Sequence, residues 1–241
     1  VNQSKKLEKK VNKNAPAFGR KAAIYSTCYV NYNSSKVGIA AEKVLNFNGV
    51  ETKIIYPGCC GMPFLEQAQH AKVKKQSETV SKELCQLIDK GYDIITLTAS
   101  CGLMLKYEWL LINPDNQNLK KLSKNTYDID QYIVEIGKKE GLVEGLSCID
   151  GGVTVHHACH ARAQNMGNKA LEMLKKLPQT KVDVVEKCAG HGGTFGVMKK
   201  TRQSAIKYGR ATAKQIKNKK NKYMVSDCPL ACKHLNEFLN E

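Results

Sequence analysis

The sequence predicts an α/β protein built from two tandem copies of a strand–helix–strand–helix unit, with mainly parallel sheets. Three observations lead to this fold class. Strand-length apolar runs alternate with segments of helical periodicity along the chain. Each predicted strand runs into a loop or helix start that contains cysteine. The spacing between these cysteines in the first half of the chain recurs, within a few residues, in the second half.

The first half of the chain contains predicted strands that are each followed by cysteine. They lie at 21–27, 51–56 and 92–100, with predicted helices at 37–50 and 70–91. The strands lead, in order, to Cys28, to the adjacent pair Cys59 and Cys60, and to Cys101. Two strands separated by a helix need a crossover connection, so we expect these strands to pair in parallel.

The second half repeats this order of elements. Its predicted strands lie at 152–158, 181–186 and 222–227, and its predicted helices at 168–177, at 199–218 and at the C-terminus. The cysteines that follow these strands are Cys159, Cys188 and Cys228, with Cys232 one helical turn further on.

The cysteine spacing supports an internal repeat. From Cys28 to Cys59 is 31 residues, and from Cys159 to Cys188 is 29. Matching order and matching gaps indicate two copies of one unit. We therefore divide the chain into a linker or disordered lead-in at 1–19, a first cysteine-rich repeat at 20–112, a connecting segment with a helix at 113–150, and a second cysteine-rich repeat at 151–241.

The charge of the chain bears on its partners. The net charge is +16, which raises nucleic-acid binding as a hypothesis. Only four of the 38 basic residues are Arg, which nucleic-acid readers favour, and the lysines are dispersed along the chain. We therefore expect no nucleic-acid partner. Attraction to an anionic membrane face or to an acidic redox partner fits this charge better.

The hydropathy pattern and the cysteine count indicate a compartment. No apolar run reaches the roughly 20 residues of a membrane span, and the N-terminal residues have no signal-peptide core. Ten cysteines in such a Lys-rich chain indicate a reducing environment, where spaced cysteines serve metal or redox chemistry. We expect a cytoplasmic protein, with peripheral attachment to the inner face of the cytoplasmic membrane as an alternative.

Two groups of cysteines share one kind of position, because each member follows a predicted strand. Loops at the carboxyl ends of parallel strands meet at one edge of a sheet, where ligands bind. Four thiolates at such an edge suit either a 4Fe–4S cluster or zinc. The adjacent side chains of Cys59 and Cys60 point in different directions, which favours a bulky cluster over one zinc ion. The candidate ligands are Cys28, Cys59, Cys60 and Cys101 in the first repeat and Cys159, Cys188, Cys228 and Cys232 in the second.

The remaining cysteines and the histidines have other interpretations. Cys85 lies inside a predicted helix and Cys148 precedes a strand, so we expect both to be small buried hydrophobic residues. His156, His157 and His160 lie around Cys159, and His157 and His160 are the alternative ligands for the second site. Hydrogen bonding or packing at the end of the strand is the other interpretation of these histidines.

A set of ordered motifs carries a family resemblance. The motifs are GCCGMP (58–63), SCGLML (100–105), ACH (158–160), CAGHGGTFG (188–196) and DCPLAC (227–232). Together they resemble the tandem cysteine-rich CCG domains of heterodisulfide reductase, which lie in its B subunit. They are more similar to the C-terminal half of the C subunit of anaerobic glycerol-3-phosphate dehydrogenase and its relatives, which include glycolate oxidase iron–sulfur subunits. The resemblance covers roughly residues 20–240.

Both repeats depart from the family pattern of Cys, then Cys-Cys-Gly, then C-x-x-C. Thr98 stands where one cysteine of the first C-x-x-C would fall. In the second repeat Ala189 replaces the second cysteine of the pair, and Cys228 and Cys232 are one residue further apart than the pattern. Each site keeps four candidate thiolates instead of five. The resemblance therefore implies one or two 4Fe–4S clusters, cubane or non-cubane, with zinc as an alternative in one repeat.

The resemblance also implies a function. We expect an iron–sulfur subunit that passes electrons between a flavoprotein dehydrogenase, acting on glycerol 3-phosphate, glycolate or a similar substrate, and quinone or another acceptor. Substrate chemistry then belongs to the partner subunit. The alternatives are a zinc-stabilised docking subunit at a membrane surface and a thiol/disulfide reductase of the heterodisulfide-reductase type. Relatives often carry an N-terminal ferredoxin-like domain, which we expect to be missing upstream, since no cysteine precedes Cys28.

Overall fold

The computed structural model describes residues 11–239, and the chain divides into two compact units. The first unit ends at Gly145 and the second begins at Leu146. Each unit contains one parallel sheet whose strands are connected through helices. This architecture confirms the predicted α/β class with two tandem units.

The first unit contains a four-stranded sheet. Its strands are β1 (Lys21–Tyr25), β2 (Glu51–Ile55), β3 (Asp93–Thr96) and β4 (Thr126–Asp128). They pair in parallel in the order β2–β1–β3–β4. The helices are α1 (Thr27–Tyr32), α2 (Ser35–Phe47), α3 (Met62–Leu65), α4 (His70–Ile88), α5 (Ala99–Leu103), α6 (Trp109–Ile112), α7 (Gln117–Lys124) and α8 (Ile129–Lys139). A π-helical segment, Met104–Glu108, joins α5 to α6.

The core of the first unit lies between the sheet and α4. The central strands β1 and β3 are buried along nearly their whole length, as expected for strands covered on both faces. On α4 the residues that face this core recur at helical spacing, and they are Val73, Val80, Leu84 and Leu87. The predicted strands at 21–27 and 51–56 and the long helix therefore correspond to β1, β2 and α4. The predicted strand at 92–100 is shorter than expected, since β3 ends at Thr96 and α5 begins at Ala99.

The segment between the predicted repeats contributes a strand that was not predicted from the sequence. β4 has three residues, Thr-Tyr-Asp, and pairs in parallel with β3. Three residues are too few to establish the alternating pattern that identifies a strand, which explains why β4 was missed. α8 follows this strand and is the helix expected in the connecting segment.

The N-terminal lead-in is described only in part. Residues 1–10 lie outside the described residues. Residues 11–19 form turns beside α2, where the amide of Asn12 donates to the carbonyl of Asn46 at 2.9 Å. Ala15 and Ala17 are buried there. This stretch of the lead-in therefore packs against the first unit.

The second unit contains a three-stranded parallel sheet. Its strands are β5 (Val153–His156), β6 (Val182–Val185) and β7 (Tyr223–Ser226), in the order β6–β5–β7. Its helices are α9 (Cys159–Ala163), α10 (Lys169–Leu174), α11 (Arg202–Asn218) and α12 (Pro229–Leu239). β5 is completely buried, whereas the edge strand β7 is half-exposed. A glycine-containing loop, 188–201, lies between β6 and α11.

The helices differ widely in length. α4 has 19 residues and α11 has 17, whereas α3 and α6 have four each. Within residues 11–239, none of the helices combines the length and the apolar character needed to cross a membrane.

Candidate metal-binding sites

The four candidate cysteines of the first unit lie at one edge of its sheet. Cys28 is in the first turn of α1, directly after β1. Cys59 and Cys60 follow β2, and Cys101 lies in α5, directly after β3. Because the three strands are parallel and adjacent, their carboxyl ends deliver these side chains to the same place.

The thiols of this first site form two close pairs. The Sγ atoms of Cys28 and Cys59 are 3.9 Å apart, and those of Cys60 and Cys101 are 3.2 Å apart. Cys60 and Cys101 are buried, whereas Cys28 and Cys59 are partly exposed. The structure therefore brings together all four cysteines that the sequence grouped, with one pair inside and one nearer the solvent.

The Cys-Cys-Gly turn depends on glycine on both sides of the cysteines. Gly58 and Gly61 have φ angles of +149° and +84°, which L side chains rarely adopt. A Cβ atom on Gly58 would also lie 2.6 Å from Nε2 of Gln76. The amide of Gly61 donates to Sγ of Cys59 at 3.4 Å. Amide donors of this kind tune metal-bound sulfur.

Two buried aromatic side chains hold the backbone of this turn. Oη of Tyr25 donates to the carbonyl oxygen of Gly58 at 2.6 Å. Nε1 of Trp109 donates to the carbonyl oxygen of Cys60 at 2.9 Å. Both aromatic residues are completely buried. Neither was identified from the sequence, although Tyr25 could have been found as the last residue of the strand that leads to Cys28.

The thiols of the first site affect one another's protonation. Hydrogen bonds from the Cys28 and Cys60 thiols lower the pKa of Cys59 far below its ordinary value. The hydrogen bond with Cys59 and burial raise the pKa of Cys28, and the hydrogen bond with Cys101 raises the pKa of Cys60. The Cys59 thiol is thus more easily deprotonated than the thiols of Cys28 and Cys60, and metal binding requires the loss of the thiol protons.

The position of the missing fifth cysteine is also at this edge. Oγ1 of Thr98 lies 3.4 Å from Oγ1 of Thr27, and both residues are buried. Thr27 has a φ angle of +53° although it is β-branched, a strained conformation next to Cys28. A threonine pair therefore occupies the place where the family pattern has a thiol.

In the second unit the candidate cysteines also follow the strands. Cys159 begins α9 after β5, Cys188 follows β6, and Cys228 follows β7, with Cys232 inside α12. The amide of Gly190 donates to Sγ of Cys188 at 3.3 Å, and its φ angle is +77°. This turn therefore repeats the amide-to-sulfur hydrogen bond of the first unit although its second cysteine is absent.

The second site is less closely assembled than the first. Partial desolvation and the nearby Cys188 thiol raise the pKa of Cys159, although both residues are exposed. Cys228 is buried. Sγ of Cys232 lies 3.9 Å from Sδ of Met224 on β7, and burial raises the pKa of Cys232. The thiol of Cys232 thus contacts a side chain that packs against the core of this unit.

Two buried histidines lie at the carboxyl end of β5, close to Cys159 in sequence. Both ring nitrogens of His156 are engaged, Nδ1 with Oγ of Ser226 at 2.9 Å and Nε2 with the carbonyl oxygen of Lys187 at 2.8 Å. Nδ1 of His157 lies 2.6 Å from a carboxylate oxygen of Asp227, and both side chains are buried. His156 was among the histidines placed around Cys159 from the sequence, with hydrogen bonding at the end of the strand as one interpretation, whereas Asp227 was not identified.

Cys85 and Cys148 differ in their environment. Cys85 is buried in α4, as expected, and its thiol donates to the carbonyl oxygen of Asn118 at 3.3 Å. Cys148 is exposed, and its thiol donates to a carboxylate oxygen of Asp150 at 3.3 Å. The expectation that Cys148 is a buried hydrophobic residue is therefore wrong, because the segment before β5 runs over the surface.

The thiols of the first unit fit an iron–sulfur cluster by their chemistry. Within residues 11–239, no three or more His, Cys, Asp and Glu side chains are arranged as a group that could hold a metal ion. In the first unit the thiols hydrogen bond to one another as two pairs. Four thiols from three loops nevertheless meet beside glycine backbone and an amide donor to sulfur, which are the features of a cluster site.

Comparison with known proteins gives a family match in each unit. The cysteine-rich domain family CCG matches residues 22–106 and 153–235. Lactate utilization protein A of Macrococcus caseolyticus is 28% identical over 188 residues, which cover 73% of this chain and 73% of that protein. The C subunit of anaerobic glycerol-3-phosphate dehydrogenase of Escherichia coli is 26% identical over 212 residues, which cover 86% of this chain. The chain spans about half of that protein, 52% of its length.

A solved structure also aligns with the chain. Glutamate racemase isoform RacE1 from Bacillus anthracis aligns with 95% of this chain and 75% of its own, at a TM-score of 0.34 and 11% identity. This similarity is too low to support an argument. The first family match covers β1, β2 and β3 but not β4, the second covers all three strands of its sheet, and each includes the cysteine loops of its unit. The chain belongs to the CCG cysteine-rich domain family and carries one copy of that domain in each unit.

Proposed function

We propose that this chain is an iron–sulfur electron-transfer subunit that passes electrons between a flavoprotein dehydrogenase and quinone or another acceptor. The first cysteine site carries the proposal, because four thiols from three strand ends meet there with Sγ–Sγ contacts of 3.9 and 3.2 Å. Cysteine thiolates are the ligands that iron–sulfur clusters use.

The similar proteins support an oxidoreductase role. One is named as a subunit of an anaerobic dehydrogenase, and the other as a lactate utilization protein. The names refer to glycerol 3-phosphate and to lactate, which are both small hydroxylated compounds. We therefore place substrate oxidation, of glycerol 3-phosphate, glycolate or a similar compound, in a partner flavoprotein and electron transfer in this chain.

The proposed ligands follow the cysteine positions. Cys28, Cys59, Cys60 and Cys101 would hold the first 4Fe–4S cluster, as an ordinary cubane or in a non-cubane form. Cys159, Cys188 and Cys228 would hold the second metal centre, with Cys232, His157 or His160 as its fourth ligand. The second centre is a cluster or zinc.

His157 is the better supported of the two histidine alternatives. Metal-bound histidines commonly donate their other ring N–H to a carboxylate. His157 has this arrangement with Asp227 at 2.6 Å. The other carboxylate oxygen of Asp227 is buried and has no hydrogen-bond partner in the described part of the chain. This polar pair lies beside Cys159 and Cys228 in sequence, at the carboxyl ends of β5 and β7.

The chain's own residues would control the cluster in three ways. A bound cluster supplies one-electron redox chemistry. The thiolates hold it, the amide of Gly61 donates to one ligand sulfur, and the burial of Cys60 and Cys101 excludes water from one side. The partly exposed pair Cys28 and Cys59 lies on the side nearer the solvent, which is where a redox partner can approach.

Thiol/disulfide chemistry is a second candidate function. It is supported by the lowered pKa of Cys59, whose sulfur lies 3.9 Å from that of Cys28. A thiolate is the reactive form of cysteine. This candidate requires neither iron nor acid-labile sulfide. The zinc-stabilised docking subunit, the other alternative, predicts a colourless protein with zinc.

Electron paramagnetic resonance of anaerobically purified variants tests the ligand assignment. Cys60→Ser should remove or alter the signal of the first cluster only, and Cys228→Ser that of the second centre only. Cys148→Ser is the matched control, because this exposed cysteine lies away from the carboxyl ends of the strands. If Cys60→Ser and Cys228→Ser keep every wild-type signal, the assignment is wrong.

We also propose that the protein acts in the cytoplasm and binds the inner membrane face peripherally. The net charge of +16 would attract it to anionic lipid. Co-sedimentation with anionic vesicles should exceed that with zwitterionic vesicles, and should decrease as salt increases. Equal sedimentation with both kinds of vesicle would contradict membrane attachment through charge.

A further inference from the structure

The backbone ahead of the central cysteine is held in the same way in both units. In the first unit, Oη of Tyr25 donates to the carbonyl oxygen of Gly58, the residue before Cys59, at 2.6 Å. In the second unit, Nε2 of His156 lies 2.8 Å from the carbonyl oxygen of Lys187, the residue before Cys188. A phenol in one unit and an imidazole in the other therefore each hydrogen bond to the carbonyl of the residue before the cysteine.

The strand register shows that these positions are equivalent. Tyr25 is the last residue of the central strand β1 and pairs with the last residues of β2 and β3. His156 is the last residue of the central strand β5 and pairs with the last residues of β6 and β7. Both side chains are buried. Tyr25 and His156 therefore occupy equivalent positions in the repeated fold, although they are different types of residue.

The imidazole of His156 makes a second hydrogen bond, to Ser226, in addition to the one with the backbone carbonyl. The carbonyl of Lys187 can only accept, so Nε2 of His156 carries the proton and Nδ1 accepts from the hydroxyl of Ser226 at 2.9 Å. Oγ of Ser226 in turn accepts from the amide of Cys228 at 3.3 Å. The chain of hydrogen bonds joins the Cys188 loop to the Cys228 loop.

These peptides precede the amide donors to sulfur. The amides of Gly61 and Gly190 donate to Sγ of Cys59 and Cys188 at 3.4 and 3.3 Å. A turn held at its first carbonyl keeps the later amide directed at the sulfur. Such amide hydrogen bonds help to set the reduction potential of an iron–sulfur cluster, because they stabilise the more negatively charged reduced state.

We infer that Tyr25 and His156 are positioning residues that fix the cysteine loops and thereby set the reduction potentials of the two metal centres. Tyr25 acts on the Cys59 loop alone. His156 acts on the Cys188 loop and, through Ser226, on the Cys228 loop. The effect on potential rests on the proposed iron–sulfur function, whereas the effect on the loops does not.

The inference can be tested first on metal-free protein by amide hydrogen exchange. Tyr25→Phe, which removes only the hydroxyl, should make the Gly61 amide exchange roughly fivefold to tenfold faster, the size expected for one lost hydrogen bond. His156→Leu should do the same at Gly190 and Cys228. His156→Gln, which keeps a donor and an acceptor, should restore much of the protection.

Matched controls remove hydrogen bonds at the opposite, amino-terminal end of each sheet. Tyr132 is completely buried, and its hydroxyl donates to Asp93 at 2.8 Å. Asn221 donates to Thr154 and Asp183, at 2.9 Å each. Tyr132→Phe and Asn221→Leu should leave the exchange of the Gly61, Gly190 and Cys228 amides unchanged.

The second measurement is a redox titration of the anaerobic, cluster-containing protein. Tyr25→Phe should move the potential of the first cluster to a more negative value, and His156→Leu that of the second centre if it contains iron. Unchanged exchange in both variants, or equal changes in the controls, would overturn the inference. If exchange changes in the variants but the anaerobically purified wild-type protein contains no iron, the positioning role stands and the iron–sulfur function is rejected.

Discussion

At the scale of single residues, Gly61 and Gly190 make the same kind of hydrogen bond in different surroundings. The amides of Gly61 and Gly190 each donate to the sulfur two residues earlier, and both have positive φ angles. A Cβ atom on Gly61 would meet Val73 only at 3.8 Å, an ordinary contact. On Gly190 it would lie 2.4 Å from the carbonyl oxygen of Ala205. Conformation alone requires glycine at the first site, and both conformation and space require it at the second.

Alanine substitutions at the two glycines should therefore differ in their effect. Gly61→Ala should lower the free energy of unfolding by about 1 kcal/mol, the cost of a left-handed conformation. Gly190→Ala should lower it at least twice as much, because backbone must also move. Urea denaturation of the metal-free protein measures both, and Gly145→Ala, in open space with φ +87°, is the control. Equal losses at Gly61 and Gly190 would contradict this reasoning.

The buried histidine at the end of β5 should make the stability of the metal-free protein depend on pH. Burial lowers the pKa of His156 below its ordinary 6.5. Below that pH the unfolded chain binds a proton that the folded chain disfavours, so the free energy of unfolding should decrease as pH falls from about 7.5 to 5.5. The decrease should be smaller in His156→Gln, measured by urea denaturation at each pH. The same decrease in both proteins would exclude His156 as a cause.

The residues of the site were only partly predictable from the sequence. In the first unit the cysteines at strand ends lie together as expected, because parallel pairing fixes where loops meet, and their binding of a metal stays a prediction. Tyr25 and Trp109 were missed, and the carbonyl partner of His156 was not predicted, since each role depends on which backbone carbonyl the polar atom of the side chain reaches. Distances between thiols could not be predicted either, because they depend on rotamers at the strand ends.

At the scale of elements, the segment after β3 joins the thiol site to the core. Cys101 lies in α5, and Trp109 begins α6 after a five-residue π-helical segment. Nε1 of Trp109 reaches the carbonyl oxygen of Cys60 at 2.9 Å. π-helical segments are often found at functional sites. Here the segment lies between one candidate ligand and the side chain that holds the loop of two others.

Replacing this tryptophan should affect both stability and the site. Trp109→Phe should lower the free energy of unfolding by about 2–4 kcal/mol, since it removes a buried hydrogen bond and leaves a small cavity. It should also alter the spectrum of the first metal centre. Urea denaturation and the visible absorption spectrum of the anaerobic protein measure the two effects. A wild-type spectrum and wild-type stability in Trp109→Phe would show that the contact to Cys60 is unimportant.

Element prediction succeeded where the hydrophobic pattern was strong. The buried central strands and α4 were predicted because their apolar residues recur at strand or helix spacing. β4 was missed because its three residues show no pattern. The predicted helix at 199–218 begins at Arg202, because residues 199–201 continue the turns of the preceding loop.

At the scale of the whole molecule, the repeat is the most informative feature of the sequence. Similar cysteine spacing predicted two copies of one unit, and each unit has its own parallel sheet. The copies have diverged at their sites. The first keeps the adjacent cysteine pair, whereas the second has Ala189 and adds the buried pair His157–Asp227. We therefore expect the first unit to hold the iron–sulfur cluster and the second to differ in its metal centre.

The metal content of the anaerobically purified protein is the decisive measurement for electron transfer. Iron, acid-labile sulfide and zinc should be determined together on the wild-type protein and on Cys60→Ser. We expect iron and sulfide in equal amounts in the wild-type protein, with a marked loss of both in Cys60→Ser. A colourless wild-type protein that contains stoichiometric zinc and no iron would contradict the proposal.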